Sequence, residues 1–258
     1  MRFIRYQQGE DQPRFGWILE DRIGLIDGTP FGEYRRMEAN IPLERIRLLA
    51  PVTPSKIICV GRNYVEHARE HNSEVPDVPL LFFKPPSAVI GPNEPILLPP
   101  QSQQVEQEAE LAVVMGKTGR WISPETALEY VLGYTIGIDV TARDLQRRDG
   151  QWTRGKGFDT FCPLGPWIET ELDAADVLIT CRVNDALRQM ASTREMVFTV
   201  PQLIAFASSV MTLVAGDVIL TGTPAGVGPL QSGDMIEVSI DGIGTLRNPV
   251  RSELRRMG

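Results

Sequence analysis

The segment VEQEAELAVVM, residues 105–115, places acidic side chains at the head of a run that is otherwise apolar. If the run forms an extended strand, Glu108 and Glu110 project from one face, because successive side chains of a strand point to opposite faces. The apolar side chains of Leu111 and Val113 then project from the other face. A carboxylate buried without a partner is costly. The segment therefore predicts a core strand whose two acids meet a positive charge.

A second apolar run, YTIGIDV at residues 134–140, provides a third acid, Asp139, close to its end. Hard divalent ions such as Mg²⁺ and Mn²⁺ take oxygen ligands from carboxylates and water. Glu108, Glu110 and Asp139 are therefore candidate ligands of such an ion. Two plainer interpretations stay open at this point, a solvent-facing acidic edge for the two glutamates and a helix-capping role for Asp139.

The segment TARDLQRR, residues 141–148, predicts a short helix that Thr141 caps. Arg143 and Gln146 lie three residues apart and would share one face of this helix. Because arginine pairs well with carboxylates, Arg143 is a candidate contact for an acidic substrate. An exposed ion pair along the helix is the alternative.

Both histidines of the chain lie in HAREH, residues 67–71. The pattern H-x-x-E-H predicts two zinc ligands one helical turn apart, with Glu70 as the base of a zinc hydrolase. The breakers at residues 72–76 leave that helix short and poorly supported. In the alternative interpretation, His67 and Glu70 form a hydrogen-bonded pair that takes a proton from water, and His71 has no part.

Two glycine-rich segments supply further candidates. Lys156 stands between glycines in RGKGFDTF, where apolar and conformationally tight surroundings favour a cleft position over a solvated one. The segment ILTGTPAGVGP, residues 219–229, is a turn after a strand. Its backbone N–H groups and the Thr223 hydroxyl could meet an anion. The segment lacks the GK[ST] ending of a nucleotide-binding loop.

Composition excludes several classes of protein. The chain has 258 residues, 42% of them hydrophobic and 23% charged, with a net charge of −7. An acidic balance disfavours nucleic acid and anionic membranes as partners. The three cysteines have no CxxC spacing, and we expect buried free thiols at Cys59 and Cys162, which have apolar neighbours. We also expect a cytoplasmic protein, because the sequence has neither an apolar leader nor a membrane-spanning run.

Short segments rich in β-branched residues and separated by Gly, Pro, Asn and Asp predict a β-rich architecture with few short helices. Four helices are expected, at NYVEHARE, SPETALEYV, TARDLQRR and TVPQLIAFASSVM. Residues 1–50 are predicted to form a small N-terminal β domain, and residues 51–258 the catalytic domain. The segment PVTPSK, residues 51–56, joins them.

The chain resembles the fumarylacetoacetate hydrolase family from about Lys56 to Val250. The resemblance rests on seven motifs in family order: GRNYVEHARE, PLLFFKPPSAVIGP, EQEAELAVVMGK, GYTIGIDVTARDLQ, KGFDTFCPLGPW, DVILTGTPAGVG and GIGTLRNPV. It implies a mixed β-sandwich roll, a homodimer and an active-site divalent cation, Mg²⁺ or Mn²⁺.

The resemblance also implies roles for ten residues. The metal ligands would be Glu108, Glu110 and Asp139, and the catalytic residues would be His67, Glu70 and Lys156, with the first two on a mobile lid. The substrate would be contacted by Arg62, Arg143, Gln146 and Thr223. The sequence departs from the family pattern at Gly157, where Ser is common, and at Ile138, where Asn often precedes the metal-binding Asp.

Family substrates are 2-oxo or 1,3-diketo acids, so a small 2-oxo acid is the expected partner. We expect hydrolysis of a C–C bond in an acylpyruvate, with the cation stabilising the enolate that is released. Decarboxylation of oxaloacetate and isomerisation of 2-hydroxyhepta-2,4-diene-1,7-dioate are alternatives on the same site. Two alternatives of another class are the zinc hydrolase built on HAREH and a binding protein without catalytic activity.

Overall fold

Short strands make up most of the regular structure in residues 1–253, the part of the chain that the computed structural model describes. The first ten strands are β1 (Arg2–Gln7), β2 (Arg14–Leu19), β3 (Arg22–Gly28), β4 (Tyr34–Pro42), β5 (Arg47–Leu49), β6 (Ile57–Gly61), β7 (Leu80–Lys84), β8 (Val89–Ile90), β9 (Ile96–Leu98) and β10 (Val105–Gln107). The next ten are β11 (Ala109–Met115), β12 (Val131–Ile138), β13 (Thr141–Ala142), β14 (Cys162–Glu169), β15 (Leu178–Val183), β16 (Ala186–Ser192), β17 (Val218–Leu220), β18 (Gly228–Pro229), β19 (Met235–Ile240) and β20 (Gly244–Ser252). The predicted β-rich architecture with few short helices is confirmed.

The α-helices within residues 1–253 are short. They are α1 (Val65–Glu70), α2 (Arg143–Asp149), α3 (Thr153–Lys156) and α4 (Val200–Val210). The start of α4 follows from its sequence, because Thr199 and Gln202 form a capping box and Pro201 lies in the first turn. No helix in this part of the chain is long and apolar enough to cross a membrane.

Two sheets carry most of the strands. The large sheet has the order β4-β3-β2-β1-β14-β12-β11-β17-β6-β7, with β5 pairing with β1 and β8 with β14. A five-stranded sheet has the order β16-β15-β19-β20-β9 and packs against it. The third sheet, β13-β10-β18, is small and lies beside the end of β11 that begins at Ala109.

Strand β11 is buried along its whole length because hydrophobic clusters cover both of its faces. Leu111, Val113 and Met115 join the cluster shared with the five-stranded sheet, whereas Ala112 and Val114 join a cluster on the opposite face. Burying a side chain of this size stabilises a fold by roughly 1.5–3 kcal/mol. The alternation read from the sequence therefore separates two cores, and neither face of the strand meets solvent.

The first fifty residues are part of the large sheet. Strand β1 pairs antiparallel with β14, with Phe3 opposite Ile168, and the Met1 ammonium lies 3.1 Å from a carboxylate oxygen of Glu169. The division of the chain into domains of residues 1–50 and 51–258 stays a prediction.

Two local predictions were wrong. The helix expected at SPETALEYV is a single 3₁₀ turn, Ala127–Tyr130, because the Tyr130 carbonyl accepts the backbone N–H groups of Gly116 and Lys117 and the chain then enters β12. The segment that forms helix α3 was not among the four expected helices. Its Lys156 N–H donates to the Trp152 carbonyl and closes one helical turn.

Candidate active site

Strand register brings two of the candidate ligands together. Strands β11 and β12 pair antiparallel with Glu110 opposite Gly137 and Ala109 opposite Ile138. One residue further along, the Asp139 N–H donates to the Glu108 carbonyl at 2.9 Å, so the backbones of these two residues stay paired. Carboxylate oxygens of Glu108, Glu110 and Asp139 all lie within 4.8 Å of one another, and all three side chains are buried.

Two lysine ammonium groups supply positive charge to this cluster. The Lys156 Nζ donates to Glu108 Oε2 at 2.8 Å and to Asp139 Oδ2 at 2.5 Å. The Lys84 Nζ donates to Asp139 Oδ1 at 2.6 Å and to the Val140 carbonyl at 3.0 Å. Both lysines are buried, so their charges and those of the acids compensate each other away from water.

The Arg143 guanidinium links the cluster to helix α2. It donates to Glu106 Oε2 at 2.7 Å and to Gln146 Oε1 at 2.7 Å, and it also bonds to Glu108. The contact with Gln146 follows from the i, i+3 spacing on one helix face. Because Arg143 is buried and fully engaged, it is not an exposed helical ion pair.

The predicted cap of this helix was wrong. Helix α2 begins at Arg143, and no side chain caps it. The Thr141 hydroxyl instead donates to Glu108 Oε1 and lies within hydrogen-bond distance of the Asp139 carbonyl, both at 3.1 Å. Thr141 is therefore committed to holding the carboxylate cluster.

Ionisation differs between the two glutamates of the E-x-E pair. Burial by itself would raise the pKa of Glu108, but the charges of Lys156 and Arg143 outweigh it and hold that pKa well below the usual range. Burial and the neighbouring charges of Asp139 and Glu108 raise the pKa of Glu110 well above its usual range. Within residues 1–253, its carboxylate accepts one hydrogen bond, from the Gly222 N–H at 2.7 Å. Glu110 thus lacks an ammonium or guanidinium of its own.

The residues present fit a hard divalent cation. Four acids, Glu106, Glu108, Glu110 and Asp139, face three bases, Lys84, Lys156 and Arg143, which leaves one negative charge in excess when all are ionised. Glu108, Glu110 and Asp139 offer oxygen atoms alone, which is the donor set that Mg²⁺ and Mn²⁺ prefer. A dication beside Glu110 would compensate the carboxylate that the protein's own bases leave uncompensated.

The loop after β17 donates backbone hydrogen bonds to two carboxylates of the same chain. Its Gly222 N–H binds Glu110, and its Gly226 N–H donates to both carboxylate oxygens of Glu70 at 3.2 Å. The Thr223 hydroxyl donates to the Ala109 carbonyl at 2.9 Å and accepts from Gln189 Nε2 at 2.7 Å. The predicted contact of Thr223 with substrate stays a prediction. In this structure the Thr223 hydroxyl holds the loop against Ala109 and Gln189.

Helix α1 presents His67, Glu70 and His71. The His67 side chain is buried, and its Nδ1 lies 3.6 Å from Glu70 Oε2, so the predicted hydrogen bond is not made in this structure. Such contacts are often long when substrate is absent and tighten in the complex. Burial lowers the pKa of His67 to about 4, so this imidazole is neutral at physiological pH.

A cavity of about 540 Å³ connects these groups. Nine of the ten predicted site residues line it, and the tenth, Asp139, lies fully buried behind them. The aromatic rings of Phe82 and Trp152 form part of the wall. Arg62 lies at the end of β6 with a φ of 59°, a left-handed conformation that is uncommon outside glycine and often found at functional sites.

Sequence reasoning missed three buried polar residues around the site. Lys84 is the charged end of the apolar strand LLFFK, which is a signal that could have identified it. The Asn63 side chain bonds to the carbonyls of Phe198 and Thr221, and its own carbonyl oxygen accepts the Phe198 N–H. Gln189 accepts the Ala109 N–H at 3.0 Å. Nothing local in the sequence around Gln189 indicates this contact.

Comparison with known proteins identifies the family. A model described as "Fumarylacetoacetate (FAA) hydrolase C-terminal" matches residues 56–251. The chain belongs to the fumarylacetoacetate hydrolase family. A second model, described as "Rv2993c-like, N-terminal", matches residues 1–51.

Three relatives in this family have different activities in their names. The oxaloacetate tautomerase fahd2 of Xenopus laevis is 42% identical, over 97% of this chain and 90% of its own length. The crystal structure of 2-hydroxyhepta-2,4-diene-1,7-dioate isomerase from Mycobacterium marinum is 45% identical, covers 98% of this chain and 99% of its own, and has a TM-score of 0.91. The maleylpyruvate hydrolase from Sphingobium sp. SYK-6, solved with manganese(II) and pyruvate, is 35% identical, covers 98% of this chain and 100% of its own, and has a TM-score of 0.81. Family members are thus enzymes that include tautomerases, isomerases and hydrolases.

Proposed function

We propose that this chain is a divalent-metal-dependent enzyme that acts on small 2-oxo acids by moving a proton at the carbon beside the oxo group. One observation carries the proposal: the buried carboxylates Glu108 and Glu110 and the pair His67 and Glu70 line the same cavity. An ion site and a proton acceptor that face one space can act on one substrate.

Glu108, Glu110 and Asp139 would hold the ion, Mg²⁺ or Mn²⁺. When bound, such an ion withdraws electron density from the oxo group of the substrate, which acidifies the neighbouring C–H and stabilises negative charge. The Lys156 ammonium has three N–H donors and uses two of them on Glu108 and Asp139. Within residues 1–253 its third donor makes no hydrogen bond, so Lys156 would both hold the ligands in place and donate to a substrate oxygen.

The pair His67 and Glu70 would move the proton. The imidazole is neutral, and its Nδ1 has no hydrogen-bond partner within the described residues, so it can accept a proton. Glu70 Oε2, 3.6 Å away, is placed to share that proton once substrate draws the two groups together. In a keto–enol exchange the pair would take one proton from the carbon and return it, directly or through a water molecule, to the oxo oxygen. The conversion of enol to keto form reverses both transfers, so no atom is gained or lost.

The relatives favour tautomerisation or isomerisation as the first candidate reaction. The tautomerase of Xenopus laevis covers 97% of this chain and the isomerase of Mycobacterium marinum covers 98%. Both names describe a rearrangement without added water. All three relatives are named for a substrate with a carboxylate at each end, so we propose a 2-oxo dicarboxylate as the substrate.

Hydrolysis of an acylpyruvate, the reaction that the sequence favours, is the second candidate. The maleylpyruvate hydrolase supports it, because that enzyme covers 98% of this chain with a TM-score of 0.81. The same pair, His67 and Glu70, would then take its proton from a water molecule that attacks the distal carbonyl. The departing pyruvate fragment would leave as an enolate.

A substrate panel tests the proposal. The enol form of oxaloacetate, a hydroxydienedioate and an acylpyruvate would each be followed by the loss of their ultraviolet absorbance, and pyruvate released from oxaloacetate would be assayed enzymatically. Each substrate would be tested with EDTA, then with Mg²⁺ or Mn²⁺ added back. We expect metal-dependent conversion of enol oxaloacetate to the keto form to be the fastest reaction.

Two variants test whether turnover depends on the carboxylate site. Glu108→Gln should lose metal-dependent turnover and measured Mn²⁺ binding together, whereas Glu129→Gln, at an exposed acid on a 3₁₀ turn, should keep both. Full turnover in EDTA, or in Glu108→Gln, would contradict the proposal. Turnover that requires Zn²⁺ and is lost in His71→Gln would favour the zinc hydrolase, and no turnover of any substrate would favour a binding protein.

We also propose that the enzyme acts as a homodimer. The family resemblance supports this, and the described surface carries large apolar side chains such as Trp121 and Met190, which are 72% and 63% exposed. Where such side chains form a contiguous patch, they mark an interface. A mass from light scattering that equals one chain at micromolar concentration would contradict it.

A further inference from the structure

A second cluster of potential metal ligands lies on helix α1, apart from the carboxylates of the proposed ion site. Each of His67, Glu70 and His71 offers one ligand atom, and these three atoms lie within 4.8 Å of one another. The cluster combines two imidazoles with one carboxylate, a donor set that differs in chemistry from the all-oxygen set of Glu108, Glu110 and Asp139.

Two of the ring nitrogens in this cluster are buried without a partner. The His67 side chain is 8% exposed, and its Nδ1 makes no hydrogen bond in the described residues. The Nε2 of His71 is likewise buried and unbonded. Burial lowers the pKa of both imidazoles, that of His67 to about 4, so both rings are neutral and keep a lone pair for a ligand. Buried polar atoms without a partner are rare and call for a ligand or water.

The spacing suits a small tetrahedral ion. Zinc–nitrogen and zinc–oxygen bonds of roughly 2.0–2.2 Å place neighbouring ligand atoms about 3.3–3.6 Å apart. His67 Nδ1 and Glu70 Oε2 are already 3.6 Å apart. The Gly226 N–H donates to both oxygens of Glu70 and so restricts the orientation of that carboxylate, as hydrogen bonds to metal ligands do in metal sites.

We propose that His67 Nδ1, Glu70 and His71 Nε2 bind Zn²⁺ as a second metal site, and that zinc bound there inhibits the enzyme. Two imidazoles favour zinc over Mg²⁺, whereas three carboxylates favour Mg²⁺ or Mn²⁺, so the two sites select different ions. The proposed zinc binding rests only on the geometry of the cluster His67, Glu70 and His71. The inhibition rests on the proposed function, in which the same atoms of His67 and Glu70 accept the proton.

Zinc stoichiometry tests the site without using activity. Wild-type protein, His71→Gln and Glu74→Gln would be dialysed against buffered free Zn²⁺ in saturating Mg²⁺, so that the carboxylate site is held by Mg²⁺ in all three. Glu74 is an exposed acid on the same segment and serves as the matched control. We expect one more zinc per chain in the wild type and in Glu74→Gln than in His71→Gln. Cobalt(II) in place of zinc should give the visible absorption of a tetrahedral site in the first two proteins alone.

Inhibition is measured on the same three proteins, with each rate normalised to that protein's own rate without zinc. The zinc concentration for half-inhibition should rise about tenfold or more in His71→Gln, since even the loss of a hydrogen-bond partner of a metal ligand weakens metal binding by roughly 10–100-fold. Thermal unfolding verifies that His71→Gln is folded, and Glu70→Gln provides a second variant for the dialysis. Equal zinc content in wild type and both ligand variants would overturn the site. An extra zinc that leaves the rate unchanged, or raises it, would overturn the inhibition while leaving the proton-transfer function to the substrate panel.

Discussion

At the scale of single residues, Lys84 supplies positive charge to Asp139, the fully buried acid of the carboxylate cluster. Its ammonium contacts Asp139 Oδ1 and the Val140 carbonyl, and both Lys84 and Asp139 have fully buried side chains. Removing one partner of such a pair leaves the other charged and unsolvated, which costs more than the intact pair contributes.

Lys84→Met should therefore lower the free energy of unfolding by roughly 3–5 kcal/mol in EDTA, because Asp139 loses one of its two ammonium partners. The measurement is denaturant unfolding of the metal-free protein. Lys117→Met, at an exposed lysine, is the matched control and should change stability by no more than about 0.5 kcal/mol. Equal stability of the two variants would mean that Lys84 does not hold the cluster.

Gly226 is the second residue with a decisive local role. Its φ is +102°, and a Cβ added there would lie 1.9 Å from the Arg188 carbonyl oxygen. Gly226→Ala should destabilise the protein by roughly 1–3 kcal/mol or more and lower kcat, because the loop must shift and Glu70 loses the N–H that fixes it. The measurements are thermal unfolding and steady-state kinetics.

Gly228 provides the comparison for this prediction. A Cβ at Gly228 would meet no atom within 4 Å. Gly228→Ala should change stability by no more than about 1 kcal/mol in either direction. If both alanine variants behave alike, the close approach at Gly226 has no energetic importance.

At the scale of elements, the predicted lid that contains α1 is short and partly exposed. The helix has six residues, and the chain after it runs through an irregular, partly exposed segment to β7. Elements with few buried contacts open more readily than core strands, and ligands that bind beneath them stabilise the closed form.

We therefore expect amide hydrogen exchange over residues 64–78 to slow when Mg²⁺ and oxalate, a 2-oxo acid mimic, are added. Strand β11 should show strong protection in both conditions, because its residues are buried on both faces. Equal exchange of residues 64–78 with and without oxalate would contradict a lid that orders over substrate.

At the scale of the whole molecule, the thiols report on the integrity of the two cores. Cys59, Cys162 and Cys181 are all free and buried, which confirms the expectation from the sequence for Cys59 and Cys162. Burial raises the pKa of Cys162 and of Cys181 to about 12, and it raises that of Cys59 well above its usual value. A raised pKa keeps a thiol protonated, and the thiolate is the reactive form.

The native protein should therefore react very slowly with a disulfide reagent, and the rate should stay low as the pH rises from 7 to about 9. Unfolding in denaturant should release all three thiols in one cooperative phase. One thiol that reacts rapidly in the native protein, with a rate that rises through pH 8.5 like that of a free cysteine, would show that the core around it is open.

The sequence by itself determined the β-rich class of the fold and the chemical type of the candidate metal ligands. The apolar run ELAVVM predicted a core strand, and the carboxylates of Glu108, Glu110 and Asp139 predicted an oxygen-rich ion site. It also predicted that Arg143 and Gln146 share one helix face, since that depends on one helix alone.

Only the tertiary structure decided how the charges are compensated. Lys84, Asp139 and Lys156 are far apart in the chain, and they meet because β7, β12 and α3 converge, which no local pattern encodes. In the sequence, Thr141 stands beside the backbone N–H groups that begin α2, so a helix cap was predicted. In the folded protein its hydroxyl donates to the Glu108 carboxylate instead. The same holds for Gln189 and Gly226, whose partners Thr223 and Glu70 come from other elements. Pairing of distant charges depends on strand register and sheet order, and these are fixed by the packing of the whole chain.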